Sequence, residues 1–191
     1  GWIVSEENFM KRQKLIDFLK LRISYGLVGN DQYSGARFLY RQDVRELKLA
    51  AFWIADPVQV TSVEFSDWGE GIANSEMAEE CAFALMSRSP RGDEWGRAWC
   101  DTGNELLGYA GLLALSRIPH PDFSSLVPVL RRLVVTYPES NLVAQGVVAL
   151  LAAIMTNPAV QRRDIEIFLS SLGPGKTARY IEEEMTWRLE Y

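Results

Sequence analysis

Cysteine and histidine are nearly absent from this chain: its 191 residues include two cysteines, Cys81 and Cys100, and a single histidine, His120. So few thiols, with no second imidazole beside them, fit neither a disulfide framework nor a histidine-based zinc site. Long hydrophobic runs are missing too, since the most apolar stretch, around 142–155, falls short of the roughly 20 residues that span a bilayer. No basic start followed by an apolar run and a small-residue cleavage site marks a secretory leader. A soluble, cytoplasmic protein with no membrane partner is expected. Excess positive charge is also lacking. With 20 basic against 25 acidic side chains and a formal net charge of -5, no global field advertises nucleic acid, which would need a local patch.

What remains is an ordinary globular composition, 48% hydrophobic and 24% charged, in a length that buries about 70% of its unfolded surface as one domain. No convincing run of period-two alternation stands out, and helical punctuation recurs throughout. Ser5 is read as the cap of a first helix with apolar residues at Phe9, Met10, Leu15, Ile16, Leu19 and Ile23, ending at Tyr25-Gly26. A polar, glycine-bearing stretch from Val28 to Gly35 leads to a short turn over 36–40, then to a long helix from Asp43 to Ala55 stopped by Asp56-Pro57. Thr61 and Glu64 stand in capping-box spacing ahead of a helix to about Trp68, and Asn74-Ser75 opens one that reaches Ser87. Beyond Ser89-Pro90-Arg91-Gly92, helices are predicted over 93–99, from Thr102 or Asn104 to Arg117, and over 122–135, 140–155, 159–172 and 176–191.

The long helices start near 43, 75, 104 and 141, about 32, 29 and 37 residues apart, with a shorter helix between each pair. A period of that size predicts a right-handed stack of helical hairpins, each burying its apolar stripe against its neighbours. The expected fold is therefore all-α, a HEAT-like or armadillo-type α-solenoid over a single domain, 1–191. An irregular orthogonal bundle of the same helices is the alternative.

Several motifs carry possible chemistry. Gly173-Pro174-Gly175-Lys176-Thr177 looks like the end of a phosphate-binding loop, but position 170 is serine and residues 165–172 read as helix rather than strand. A helix-to-helix turn is expected there. His120 lies between Pro119 and Pro121 with no serine or cysteine placed for it to activate, and reads as a loop residue. Trp53, flanked by Phe52 and Ile54, is expected to pack, whereas Trp95 and Trp99, four apart beside Arg91 and Arg97, suit either packing or stacking on a base. Basic residues cluster as Arg41, Arg45 and Lys48, as Arg88, Arg91 and Arg97, as Arg131 and Arg132, and as Arg162 and Arg163. Such clusters at hairpin ends can grip a phosphate backbone; with Glu76, Asp93, Glu94 and Asp101 interspersed, they equally describe a solvated mixed-charge surface. Glu79 and Glu80 sit among Met77, Ala78, Ala82 and Phe83, so at least one carboxylate is expected to face a groove, where it could stabilise an oxocarbenium-like sugar.

The string Arg45-Glu46-Leu47-Lys48-Leu49-Ala50-Ala51, followed by Ile54-Ala55-Asp56-Pro57, resembles the second repeat of the bacterial DNA alkylation repair enzymes, the HEAT-like glycosylase family. Tyr25-Gly26, Leu39-Tyr40 before Asp43-Val44-Arg45-Glu46, Trp68 before Ile72-Ala73-Asn74-Ser75, and Trp95 and Trp99 before Asn104 agree with it in order, over roughly residues 10–155. The resemblance implies cofactor-free hydrolysis of the N-glycosidic bond of cationic alkylpurines in duplex DNA, using a tryptophan pair, an aspartate and a phosphate-holding arginine. At the corresponding places this chain has Ser75 for the first tryptophan, Glu79 for the aspartate, Tyr109 near the arginine and Ala149 near the late tryptophan.

Fold and activity are separable on a scaffold of this kind. The expected function is duplex DNA binding associated with alkylation damage, by a monomer without cofactor or metal. If base excision occurs, Glu79 is the expected catalytic carboxylate, with Arg45, Lys48, Arg88 and Arg97 on phosphates and Trp95, Trp99 and Tyr109 on the nucleic acid. The alternative is a non-catalytic helical-repeat scaffold that binds a protein partner.

Overall fold

The computed structural model of the protein describes residues 2–3, 20–21 and 31–190. The chain divides into two compact units, Gly1–Asp31 and Gln32–Tyr191, where the sequence reading drew one domain over 1–191. Their boundary falls inside the glycine-bearing stretch 28–35, which is short enough to pass for an inter-helix loop. In the first unit, strands β1 (Trp2–Ile3) and β2 (Lys20–Leu21) pair antiparallel, with Trp2 opposite Leu21 and Ile3 opposite Lys20. This pair replaces the end of the predicted first helix. Leu19, Leu21 and Ile23 alternate with Lys20 and Arg22, a local period of two that a broader helical pattern had absorbed. The rest of that helix, from Ser5, lies outside the described residues.

From Asp31 onward the described residues are all-α. The helices are α1 (Asp31–Tyr40), α2 (Arg45–Ile54), α3 (Ser62–Glu70), α4 (Ser75–Glu80), α5 (Gly92–Cys100), α6 (Glu105–Leu115), α7 (Phe123–Thr136), α8 (Asn141–Met155), α9 (Arg162–Ser170) and α10 (Lys176–Glu190). Side-chain caps set many of the starts, because the first N–H groups of a helix lack carbonyl partners. Thr61 and Glu64 close a reciprocal capping box on α3. Asn74, Asn104, Asp122 and Ser140 accept first-turn N–H groups of α4, α6, α7 and α8. Two starts depart from expectation: α1 begins five residues before Ala36, and α2 begins at Arg45 behind an uncapping Val44, not at Asp43.

Even- and odd-numbered helices form two rows. Along the even row, α2 meets α4, α4 meets α6, α6 meets α8 and α8 meets α10. In the odd row, Arg37 of α1 reaches Glu64 and Asp67 of α3, Phe65 of α3 stacks on Trp95 and Trp99 of α5, Arg97 of α5 reaches Ser125 of α7, and Phe123 of α7 meets Phe168 of α9. Several polar links join residues about one helix pair apart: Arg37–Asp67 is 30 residues, Arg45–Glu76 31, Tyr109–Glu79 30 and Arg97–Ser125 28. Apolar burial is divided into two clusters, one around Phe52, Trp68, Leu85 and Trp95, the other around Leu112, Leu130, Leu151 and Phe168. Helix α6 contributes to both and is buried without interruption from Gly108 to Leu115, as a helix apolar on every side must be.

Helix α4 does not run uniformly to Ser87. After Glu80 the backbone widens into a π turn, Cys81–Leu85, and then tightens into a 3-10 turn, Met86–Arg88. Such one-turn π segments are uncommon and recur at functional sites.

Candidate functional site

The residues singled out by sequence separate into an interior set and a surface set. Trp95 and Trp99 are 2% and 4% exposed, with ring centroids 4.2 and 4.4 Å from Phe65. Both were candidates for stacking on a base; their faces are occupied by Phe65, so they act as packing wedges between α3 and α5. Trp53, expected to pack, is instead 59% exposed, and its indole N–H donates to Glu80 Oε2 at 2.8 Å. One residue apart, Phe52 and Trp53 differ by about 100° around the helix, and Phe52 takes the buried place beside Ala51.

Glu79 is half-buried and accepts a hydrogen bond from the Tyr109 hydroxyl at 2.9 Å. Tyr109 sits on α6 and is 5% exposed. Burial first, and the Glu79 carboxylate second, push its hydroxyl up to about 12, so at neutral pH it is a proton donor to Glu79. Arg45 forks onto Glu76, with a longer contact to Glu46, and the hydrogen bond it donates to the Glu76 carboxylate raises its already high pKa further. Three carboxylates of α4, at 76, 79 and 80, thus meet both neighbours in the even row: Glu76 and Glu80 take partners from α2, and Glu79 takes one from α6. Spacings of three and four put them on one helix face. Just beyond, Phe83 of the π turn carries the Arg117 guanidinium 4.5 Å from its ring centroid.

The remaining expected phosphate contacts lie elsewhere. Lys48 is half-buried on α2. Exposed Arg88 turns back to donate to the Ala84 carbonyl at 2.9 Å, satisfying a carbonyl of the π turn. Arg97 is in the odd row, paired with Asp93 and donating to Ser125. Nearby Arg91 chelates Glu94 and donates to Ser62. Arg45 and Arg97 therefore belong to different helix rows, and each already holds a carboxylate. Sequence reasoning missed the partnerships Trp53–Glu80, Arg45–Glu76 and Phe83–Arg117. For the first two, separations of 27 and 31 residues, close to the helix-pair period, were a usable signal.

The turn at 173–177 docks α10 onto the α7–α8 connection. Thr177 N–H donates to the Pro138 carbonyl, and Thr177 Oγ1 accepts from Ser140 N–H and donates to the Tyr137 carbonyl. Its hydroxyl and amide are thus engaged by the protein. His120 occupies an exposed loop with left-handed backbone, φ 51°. Ala149 is partly buried against the first apolar cluster. One hollow of roughly 400 Å³ runs along α3, α5 and α6, lined in part by Ser66, Glu70, Trp99 and Asn104; another, of roughly 320 Å³, lies between Ala152, Met155, Trp187 and Arg188. Among the described residues no group of three or more His, Cys, Asp or Glu could hold a metal ion, and no helix is long and apolar enough to cross a membrane.

A short likeness links the chain to a TonB-dependent receptor of Formosa agariphila, 56% identical over 32 residues, which is 17% of this chain and 3% of that protein. The chain thus spans a small fraction of the curated relative it matches. No family model and no solved structure matches it. The resemblance to the DNA alkylation repair enzymes rests on the sequence motifs alone.

Proposed function

We propose that residues 32–191 form a HEAT-type α-solenoid that works as a protein-binding scaffold, with the exposed parts of α2 and α4 in the even row as its binding face. The alternation of two rows and the polar links one helix pair apart support the solenoid reading. The observation that carries the scaffold reading is the division of the arginines: Arg45 is in the even row on Glu76, and Arg97 is in the odd row on Asp93 and Ser125. A protein that grips duplex DNA collects its cations on one surface and leaves them available to phosphates. The test is binding of a labelled duplex, intact and with an abasic-site analogue, at about 50 and then about 200 mM salt, a range over which phosphate contacts weaken steeply. The scaffold reading expects no binding at either salt; salt-sensitive binding that prefers the damaged duplex would overturn it.

The second reading is a diverged member of the DNA alkylation repair family that binds damaged duplex and releases a cationic alkylpurine. It is favoured by one feature, the presence in the even row of an exposed indole, Trp53, bonded to Glu80, whose helix neighbour Glu79 is held by Tyr109, with Arg45 and Lys48 on the same helix as the indole. An aromatic face suits a cationic base, and a carboxylate suits the departing sugar cation. Here Glu79 would orient water, and Tyr109 would hold that carboxylate. Release of alkylated base by the wild type and its loss in Glu79→Gln would establish this reading; equal and negligible release by both would end it.

A further inference from the structure

We propose that the Trp53–Glu80 patch of the even row binds an arginine side chain presented by a partner protein; the proposal rests on the scaffold reading and names the chemistry of its partner. Trp53 is open to solvent, and its indole N–H is anchored on Glu80 Oε2. That bond fixes the ring and places a carboxylate at its edge, so a flat cation lying on the indole would sit beside a negative charge. Glu80 uses one oxygen on Trp53 Nε1. Among the described residues its other oxygen accepts no hydrogen bond from the protein.

A planar guanidinium meets both demands at once, since it stacks on an aromatic face and forks onto carboxylate oxygens. A lysine ammonium offers no flat face, and a single open ring is less than the aromatic cage that a methylated ammonium needs. The same helix face already holds one arginine of this chain: Arg45 Nε and Nη2 fork onto both oxygens of Glu76. Glu80 is one helical turn further along that face. Charge balance agrees. Residues 1–31 contain five basic and four acidic side chains, which leaves 15 basic against 21 acidic for residues 32–191. An arginine-bearing segment is thus favoured over a polyanion, whose phosphates would meet Glu76, Glu79 and Glu80.

The experiment titrates the full chain, labelled with nitrogen-15, with a short peptide of arginines spaced by glycine and serine, and with the same peptide in which every arginine is citrulline, a neutral isostere. The expected result is a shift of the Trp53 indole N–H resonance, assigned by its loss in Trp53→Phe, and binding of the arginine peptide about tenfold or more tighter than the citrulline peptide, from the ring contact and the charged hydrogen bonds. Glu80→Gln is expected to remove most of that preference without unfolding the chain, since Glu80 belongs to neither buried cluster. Equal binding of the two peptides, or arginine binding that leaves the Trp53 resonance unmoved, would overturn the arginine proposal and leave the scaffold reading standing. A third arm uses a DNA duplex: a salt-sensitive shift of the same resonance by the duplex would overturn both.

Discussion

Phe52 and Trp53 are adjacent in sequence and opposite in environment, one fully buried and the other open beside Glu80. Such contrasts make single substitutions informative. Trp95→Ala removes a ring stacked on Phe65 inside the first apolar cluster and should cost about 3–5 kcal/mol in denaturant unfolding. Trp53→Ala removes an exposed ring and one surface hydrogen bond and should change stability by about 0.5 kcal/mol or less, measured in the same way. Reversed magnitudes would mean that the two tryptophans had been placed on the wrong sides of their helices. The surface ion pairs of Arg91 and Arg97 call for no comparable cost, because exposed pairs contribute about 0–1 kcal/mol.

Helix ends and helix crossings set the scale above. Thr61 Oγ1 accepts from Glu64 N–H while the Glu64 carboxylate receives Thr61 N–H, so Thr61→Ala should lower stability by about 1 kcal/mol, read as a shift in the urea midpoint. At the crossing of α5 and α6, a Cβ on Gly111 would lie 2.5 Å from the Gly96 carbonyl and 3.0 Å from Cys100 Sγ. A backbone oxygen cannot swing aside, so Gly111→Ala should cost about 1–3 kcal/mol in the same assay, from overpacking. The capping box was legible because threonine and glutamate three apart state a local geometry. The glycine contact was not, since the need for a missing Cβ arises only when a distant helix arrives. The π turn after Glu80 was equally hidden, because Glu80-Cys81-Ala82-Phe83 suits an ordinary helix and the wider turn is imposed by packing.

At the scale of the whole molecule, buried titratable groups make stability depend on alkaline pH. Burial pushes the Cys81 thiol above its usual 9.0 and the Cys100 thiol to about 12, raises the Tyr40 hydroxyl, and with the Glu79 carboxylate takes Tyr109 to about 12. All four keep their protons longer in the folded state than in the unfolded one. Their contribution is therefore complete below about pH 9 and declines above it, as the unfolded chain loses protons that the folded chain retains. Urea midpoints measured from pH 7 to pH 11 should be level up to about pH 9 and then fall; a midpoint that rises over that range would contradict the burial of these groups.

By itself the sequence determined that the described residues from 32 onward are mostly helical and where most of those helices begin. Caps, prolines and apolar periodicity are short-range statements, and the all-apolar α6 could be stable only in the interior. The helix-pair spacing carries information on contacts as well, since links such as Arg45–Glu76 and Tyr109–Glu79 span about one helix pair. The tertiary structure decided what the surface offers. Whether Trp53 or Trp95 is open, whether Arg45 is available or held by Glu76, and whether Glu79 stands alone or under the Tyr109 hydroxyl all depend on groups some 30 residues away. A side chain's chemistry is fixed by its covalent structure, but its availability is fixed by its neighbours, and those are chosen by the packing of whole helices.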